Sequence, residues 1–138
     1  MKFHEMTARQ IAATNREQSL VVVPIAAVEQ HGPHMPTGTD TILCTAVAQA
    51  LEARLPDRVL ITPTVWLGAS AHHLRFGATI DSALDHYIET LCDIGRSLLG
   101  DGFLRVWFLN GHGGNIDPMK VAARMLQPLN NKALIAAA

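Results

Sequence analysis

Leu20-Val21-Val22-Val23-Pro24-Ile25 carries no polar side chain, and this run constrains the fold more than any other stretch of the chain. A strand with one face in water alternates apolar and polar residues. An unbroken apolar, β-branched strand is covered on both faces, as in a parallel sheet between helix layers. The pattern recurs downstream. Residues 59–62 and 105–109 read as a second and third strand, and 133–137 as a fourth. Helical periodicity fills the gaps. A short helix over 7–15 precedes the first strand, with Ile11 and Ala12 inward. Residues 40–55 form a helix with Ile42, Leu43, Val47, Leu51 and Leu55 on its inner face. A longer helix runs to Leu99, with Leu84, Ile88, Leu91, Ile94, Leu98 and Leu99 as its stripe, and residues 117–126 form a last one ended by Pro128. Thr39 or Asp40 is the expected N-cap of the 40–55 helix, and Asp81 or Ser82 that of the longer helix. Alternating strands and helices give an α/β fold with a mostly parallel central sheet.

Composition narrows the function. With 49% hydrophobic and 17% charged residues the chain folds around a core, and 138 residues suit one domain. The formal charge of -1 leaves no basic surplus for phosphates, so no nucleic-acid partner is expected. No apolar run approaches the ~18–20 residues of a membrane span, so no membrane partner is expected either. Met1 to Met6 lacks the apolar stretch of a secretory signal. Cys44 and Cys92 sit in apolar helical patterns and read as buried thiols. Together these features point to a cytoplasmic setting.

In parallel α/β sheets ligands bind beyond the carboxyl ends of the strands. Here the segments after the first three strands are polar and rich in His and Gly. The first, 29–40, holds Glu29, His31, His34 and Asp40. Glu29 and His31, two apart, share one side of an extended backbone, and a carboxylate beside an imidazole is a metal-ligand pair. Asp40 caps the next helix, bridges a metal, or does both. His34 supports His31, contacts substrate, or is an ordinary loop residue. The second segment, 68–79, contains Ser70, His72 and His73. Adjacent histidines in an extended segment point to opposite sides, so at most one of the two faces the site. Ser70 could hydrogen-bond a substrate, and it lacks the surroundings of a nucleophile elbow. The third, Asn110-Gly111-His112-Gly113-Gly114-Asn115, is a tight turn opening a helix. Its glycine spacing is not that of a dinucleotide-binding turn. Glu29, His31, Asp40 and His112 therefore form a mixed nitrogen and oxygen donor set, suited to Zn, Mn or Fe. Up to two ions per chain are expected, with Asp40 between them, an arrangement suited to hydrolysis by a hydroxide shared between two metals.

These three segments, in this order, resemble the motifs of the creatininase (creatinine amidohydrolase) family. The resemblance covers nearly the whole chain, from Pro24 to Asp40, Gly68 to Thr79 and Asn110 to Asn115. It implies a three-layer α/β/α fold, a binuclear divalent-metal site, and a homo-oligomer, commonly a hexamer. It implies hydrolysis of a non-peptide C–N bond in a small-molecule amide, often a cyclic amide or a formamide, through a metal-bridged hydroxide. Carried over position by position, Glu29, His31, Asp40 and His112 match metal ligands, with Asp40 the bridging one. Ser70 and His73 match catalytic positions near the substrate pocket. Two departures stand out. Creatininase proper carries a metal-ligating Glu in the third motif where this chain has Gly114. In the second motif, family members often have Glu where this chain has His72, and end it in Phe-Pro-Gly-Thr where this chain has Phe76, Gly77, Ala78 and Thr79. Residues 1–138 match the N-terminal portion of the family fold, and the later family segment that brings a His and a Glu has no counterpart. The general acid that would protonate the leaving nitrogen has no evident candidate. Two alternatives follow: a catalytically incomplete metal-binding module acting through oligomerisation or interaction, or a nucleotide-binding module resting on the Gly-rich turn.

Overall fold

The computed structural model describes residues 1–129 and 132–138. Four parallel strands form one sheet: β1 (Leu20–Ile25), β2 (Val59–Ile61), β3 (Arg105–Asn110) and β4 (Leu134–Ala137), in the order β2-β1-β3-β4. β1 is central. Val22 stands in register with Ile61 on one side and with Trp107 on the other, which is why five of its six residues are buried. The helices are α1 (Ala8–Ala12), α2 (Thr39–Arg54), α3 (Leu84–Gly100) and α4 (Ile116–Leu126). α1 is shorter than residues 7–15, and Ala12 faces outward.

Alternation along β1 sorts the core into two layers. Val21, Val23 and Ile25 join Phe108 under α3 and α4, through Tyr87, Leu91, Cys92, Met119, Ala122 and Leu126. Val22 faces the other way and packs with Val59, Ile61 and Ala48 of α2. The result is the expected three-layer α/β/α sandwich. Each fully buried Leu, Phe or Met in these layers contributes about 1.5–3 kcal/mol. Both cysteines are buried and free, as expected. No helix among the described residues is long and apolar enough to cross a membrane.

α2 is turned differently from the expectation. Ile42, Leu43, Val47 and Leu55 are exposed, and only Cys44 and Ala48 are buried. The helix packs through its small residues because it lies close to the sheet. Cys44 Sγ donates to the carbonyls of Ile25 (3.6 Å) and Leu109 (3.4 Å), and a wider side chain there would lift the helix away. In α3 the buried set is Tyr87, Leu91, Cys92, Gly95 and Leu98, while Leu84 is exposed. Gly95 lets Leu126 of α4 settle against its backbone, since a Cβ there would stand 2.3 Å from Leu126 Cδ1.

The facing of α2 gives a paired test. Ala48→Leu should destabilise the chain by about 1–3 kcal/mol through overpacking. Val47→Leu, one residue away on the exposed side, should change stability by less than about 0.5 kcal/mol. Urea unfolding of the two variants measures both.

Candidate metal centre

Because the strands are parallel, the carboxyl ends of β1, β2 and β3 share one edge. The segments leaving them are sewn together by the side chain of Asn115, which is fully buried. Its Oδ1 accepts from Ala69 N (3.0 Å) and its Nδ2 donates to Ala26 O (3.0 Å). The backbone adds further ties: Gly111 N donates to Ile25 O (2.8 Å) and Ala26 N to Val65 O (2.8 Å). Close approach is obligatory at Gly68, where a Cβ would stand 2.4 Å from Ala26 O.

On this frame Glu29, His31, Asp40 and His112 converge. Glu29 and His112 are buried, at 6% and 4% exposure. Asp40 sits in the first turn of α2, where the helix dipole favours its anion. It does not cap the helix. Gly38 occupies the N-cap position, and Thr39 Oγ1 donates to Pro36 O (2.6 Å). The Asp40 carboxylate is thereby free to face two histidines, with Oδ1 3.1 Å from His31 Nε2 and Oδ2 2.9 Å from His112 Nδ1. Glu29 Oε1 lies 3.2 Å from His112 Nδ1.

Backbone carbonyls set which nitrogen of each imidazole carries the proton. A carbonyl only accepts, so His31 Nδ1 donates to Glu29 O (3.1 Å) and His112 Nε2 donates to Ala69 O (3.1 Å). The nitrogens left with lone pairs, His31 Nε2 and His112 Nδ1, are those aimed at the carboxylates. Lone pairs pressed against anionic oxygens need a proton or a cation between them. The Glu29 carbonyl bond, followed by the charges of Asp40 and Glu29, accordingly raises the His31 pKa above its ordinary value against the opposing effect of burial. Glu29 Oε2 is buried without a hydrogen-bond partner. Two triads, Glu29–His31–Asp40 and Glu29–His72–His112, each offer ligand atoms within 4.8 Å of one another. An electron-rich, partly unsatisfied donor set of this kind fits a divalent cation.

The 68–79 segment corrects three expectations. Residues Ala71–Phe76 form a 3₁₀ helix, not an extended loop. With three residues per turn, neighbours diverge by about 120° rather than 180°, so His72 and His73 both border the site, their ring centroids 4.4 Å apart. His73 Nδ1 lies 2.9 Å from Gln30 Nε2 and 3.9 Å from Glu29 Oε2. Ser70 is fully buried, and its Oγ faces His112 Nε2 at 3.2 Å. It lies beneath a ligand candidate rather than on the open side, where a substrate would be reached. Asp81 does not cap α3, whose N-cap is Ala83. Its Oδ1 accepts from Ser70 N (2.6 Å). His34 is exposed and, among the described residues, makes no hydrogen bond to His31.

The sequence pattern assigns no role to Asn115, Asn110 or Gln30, and offers His72 only as an alternative to His73 for facing the site. Asn110 grips the His112 backbone at both ends, its Oδ1 accepting from His112 N (3.1 Å) and its Nδ2 donating to His112 O (2.8 Å). An amide on each side of the Gly-rich turn is the available signal, since an amide side chain donates and accepts through two separate atoms.

Comparison with known proteins covers nearly the whole chain. A family model described as creatininase, creatinine amidohydrolase, matches residues 4–137. The chain is 36% identical over 129 residues to the mycofactocin precursor peptide peptidase of Mycobacterium tuberculosis, covering 88% of this chain and 50% of that protein. It is 30% identical over 103 residues to the creatinine amidohydrolase of Pseudomonas putida, covering 70% of this chain and 38% of that protein. A creatininase structure described as the Mn form superposes with a TM-score of 0.84 at 25% identity, over 99% of this chain and 57% of its own. The chain thus spans about half the length, or less, of the curated relatives it matches.

Two outcomes are expected. Asn115→Ala strands the Ala69 N–H and the Ala26 carbonyl in a buried place, and each unsatisfied group costs about 1–3 kcal/mol. Urea unfolding should show the loss. Ala78 holds φ at +49°, at the position where the resembled motif carries Gly. Ala78→Gly should therefore raise the urea midpoint, or at least leave it unchanged, because relief of about 1–2 kcal/mol of left-handed strain outweighs the added freedom of the unfolded chain.

Proposed function

The chain belongs to the creatininase family, and from that premise we propose that it is a metal-dependent amidohydrolase acting on a C–N bond. The observation that carries the proposal is the convergence of Glu29, His31, Asp40 and His112 with two imidazole lone pairs aimed at carboxylate oxygens. Zn or Mn suits this donor set, with Asp40 between two sites. A bound divalent ion supplies Lewis acidity toward a carbonyl oxygen and a lowered pKa for water.

The chain's own residues do the rest. Glu29 and Asp40 bring the negative charge that retains a cation. Ala69 O and Ser70 hold the His112 ring so that Nδ1 faces the site, which makes Ser70 a positioning residue. His73 is the residue proposed to meet substrate. Gly32 N donates to Gln30 Oε1 (3.0 Å), which orients the Gln30 amide so that Nε2 donates to His73 Nδ1 (2.9 Å). The His73 proton is thereby held on Nε2, where it can serve as a hydrogen-bond donor to an amide. An open cleft of about 390 Å³ is lined in part by Ala69, His72, Asp81 and Gly114.

The substrate is expected to be a small amide, cyclic or formyl. A short peptide is the second reading, favoured by the 36% identity to a peptide peptidase. The exposed apolar residues of α2 support self-association into a homo-oligomer.

The test is to strip the purified chain with chelator and reload it with Zn²⁺ or Mn²⁺. At about 100 times Kd, the ion should stabilise the fold by about 2.7 kcal/mol. Creatinine and short-peptide hydrolysis should appear with metal and vanish without it. Asp40→Asn should abolish both the stabilisation and the hydrolysis. Hydrolysis that survives complete metal removal would overturn the proposal, and metal binding without hydrolysis of any amide would favour the non-enzymatic alternative.

A further inference from the structure

Gly114 stands where creatininase proper carries a ligating Glu, and the surroundings of Gly114 leave no space for a side chain. A Cβ there would stand 2.1 Å from Ala69 O, 2.6 Å from His112 Nε2 and 3.0 Å from His72 Cε1. The first of these is backbone, which cannot swing aside. What fills the space over Gly114 is the His72 ring, stacked on that of His112 with centroids 5.9 Å apart and planes 15° apart.

We propose that His72 is a metal ligand, completing with Glu29 and His112 a second triad in the room that Gly114 leaves. This rests on the metal-dependent reading above and goes beyond it by assigning a ligand that the resembled motif does not supply.

Three observations carry the assignment. Ligand atoms of Glu29, His72 and His112 lie within 4.8 Å of one another. Glu29 is 6% exposed, and its Oε2 has no hydrogen-bond partner. Among the described residues, neither ring nitrogen of His72 makes a hydrogen bond, although the neighbouring His73 is held by Gln30. His72 is exposed, so packing does not account for its place over His112. The 3₁₀ turn accounts for how it gets there. It brings His72 round to the same side as His73, and the missing side chain at residue 114 lets the ring approach. The two triads share Glu29. An ion held on the His31 side would use none of His72, and one held by Glu29 and His112, with Asp40 between the two sites, would gain His72 as a further ligand.

The experiment is a titration of the metal-free chain with Co²⁺, following the visible absorption of the bound ion and counting ions by equilibrium dialysis. His72→Ala is compared with the unaltered chain and with His34→Ala, an exposed histidine outside both triads. Equal urea midpoints for the metal-free proteins establish that the substitutions leave the fold intact. Losing an outer partner of a ligand already costs about 10–100-fold in metal affinity. His72→Ala should therefore weaken one Co²⁺ step at least ~10-fold and alter its absorption, with His34→Ala unchanged. Unchanged stoichiometry, affinity and absorption in His72→Ala would overturn the assignment, whether the unaltered chain takes up one ion or two. No Co²⁺ uptake by the unaltered chain would instead overturn the metal-dependent reading itself.

Discussion

The buried carboxamide of Asn115 is the tie on which the site depends. A parallel sheet brings three loops to one edge, but it does not fix their relative heights. Asn115 does so from the start of α4, its Oδ1 accepting a hydrogen bond from the Ala69 N–H of one loop and its Nδ2 donating one to the Ala26 carbonyl of another. Ala69 is also the residue whose carbonyl receives His112 Nε2. One amide group therefore sets the height of the loop that sets the tautomer of a ligand candidate. Buried amides of this kind have no spare partner to turn to, which makes the arrangement rigid.

From that frame the electrostatics follow. Two carboxylates and two imidazoles are brought within contact distance in a poorly exposed place, and the carbonyls of Glu29 and Ala69 occupy the outer nitrogens. The inner nitrogens then have lone pairs and meet anions. Such a centre is unfavourable without a cation, and a cation is what it can bind. The second partners that orient metal-bound histidines in general, carbonyls among them, are here the carbonyls of Glu29 and Ala69, joined at His112 by Ser70 Oγ.

Much of this was legible in the sequence, for physical reasons that differ by element. The unbroken apolar run at Leu20–Ile25 could only be a strand covered on both faces, so the parallel sheet and the edge of ligand binding followed. Glu29, His31, Asp40 and His112 were legible because each lies within a few residues of a strand end, or opens the next helix. The facing of α2 was not. Its larger apolar side chains form a convincing stripe, yet the packed face is made by Cys44 and Ala48, because closeness to the sheet is worth more than side-chain area at that position. That His72 and His73 both border the site was hidden for a reason of geometry. Alternation is a property of extended chain, and a six-residue 3₁₀ helix cancels it. Asn115 escaped because an asparagine beside glycines reads first as a turn residue.

The helix caps show where local stability has been given up. Asp40 and Asp81 stand where sequence logic puts N-caps, and neither caps. A side-chain N-cap contributes about 0.5–2 kcal/mol, so α2 and α3 each forgo a stabilisation of that order. What the two residues do instead is specific. Asp81 Oδ1 holds Ser70 N at 2.6 Å, and so fixes the loop that carries Ala69 and His72. Asp40 spans His31 and His112. Both carboxylates are thus withdrawn from the helices they precede and committed to the one edge of the sheet where all the titratable ligands meet. A chain selected only for stability would have capped its helices. These residues are in place for what the edge binds.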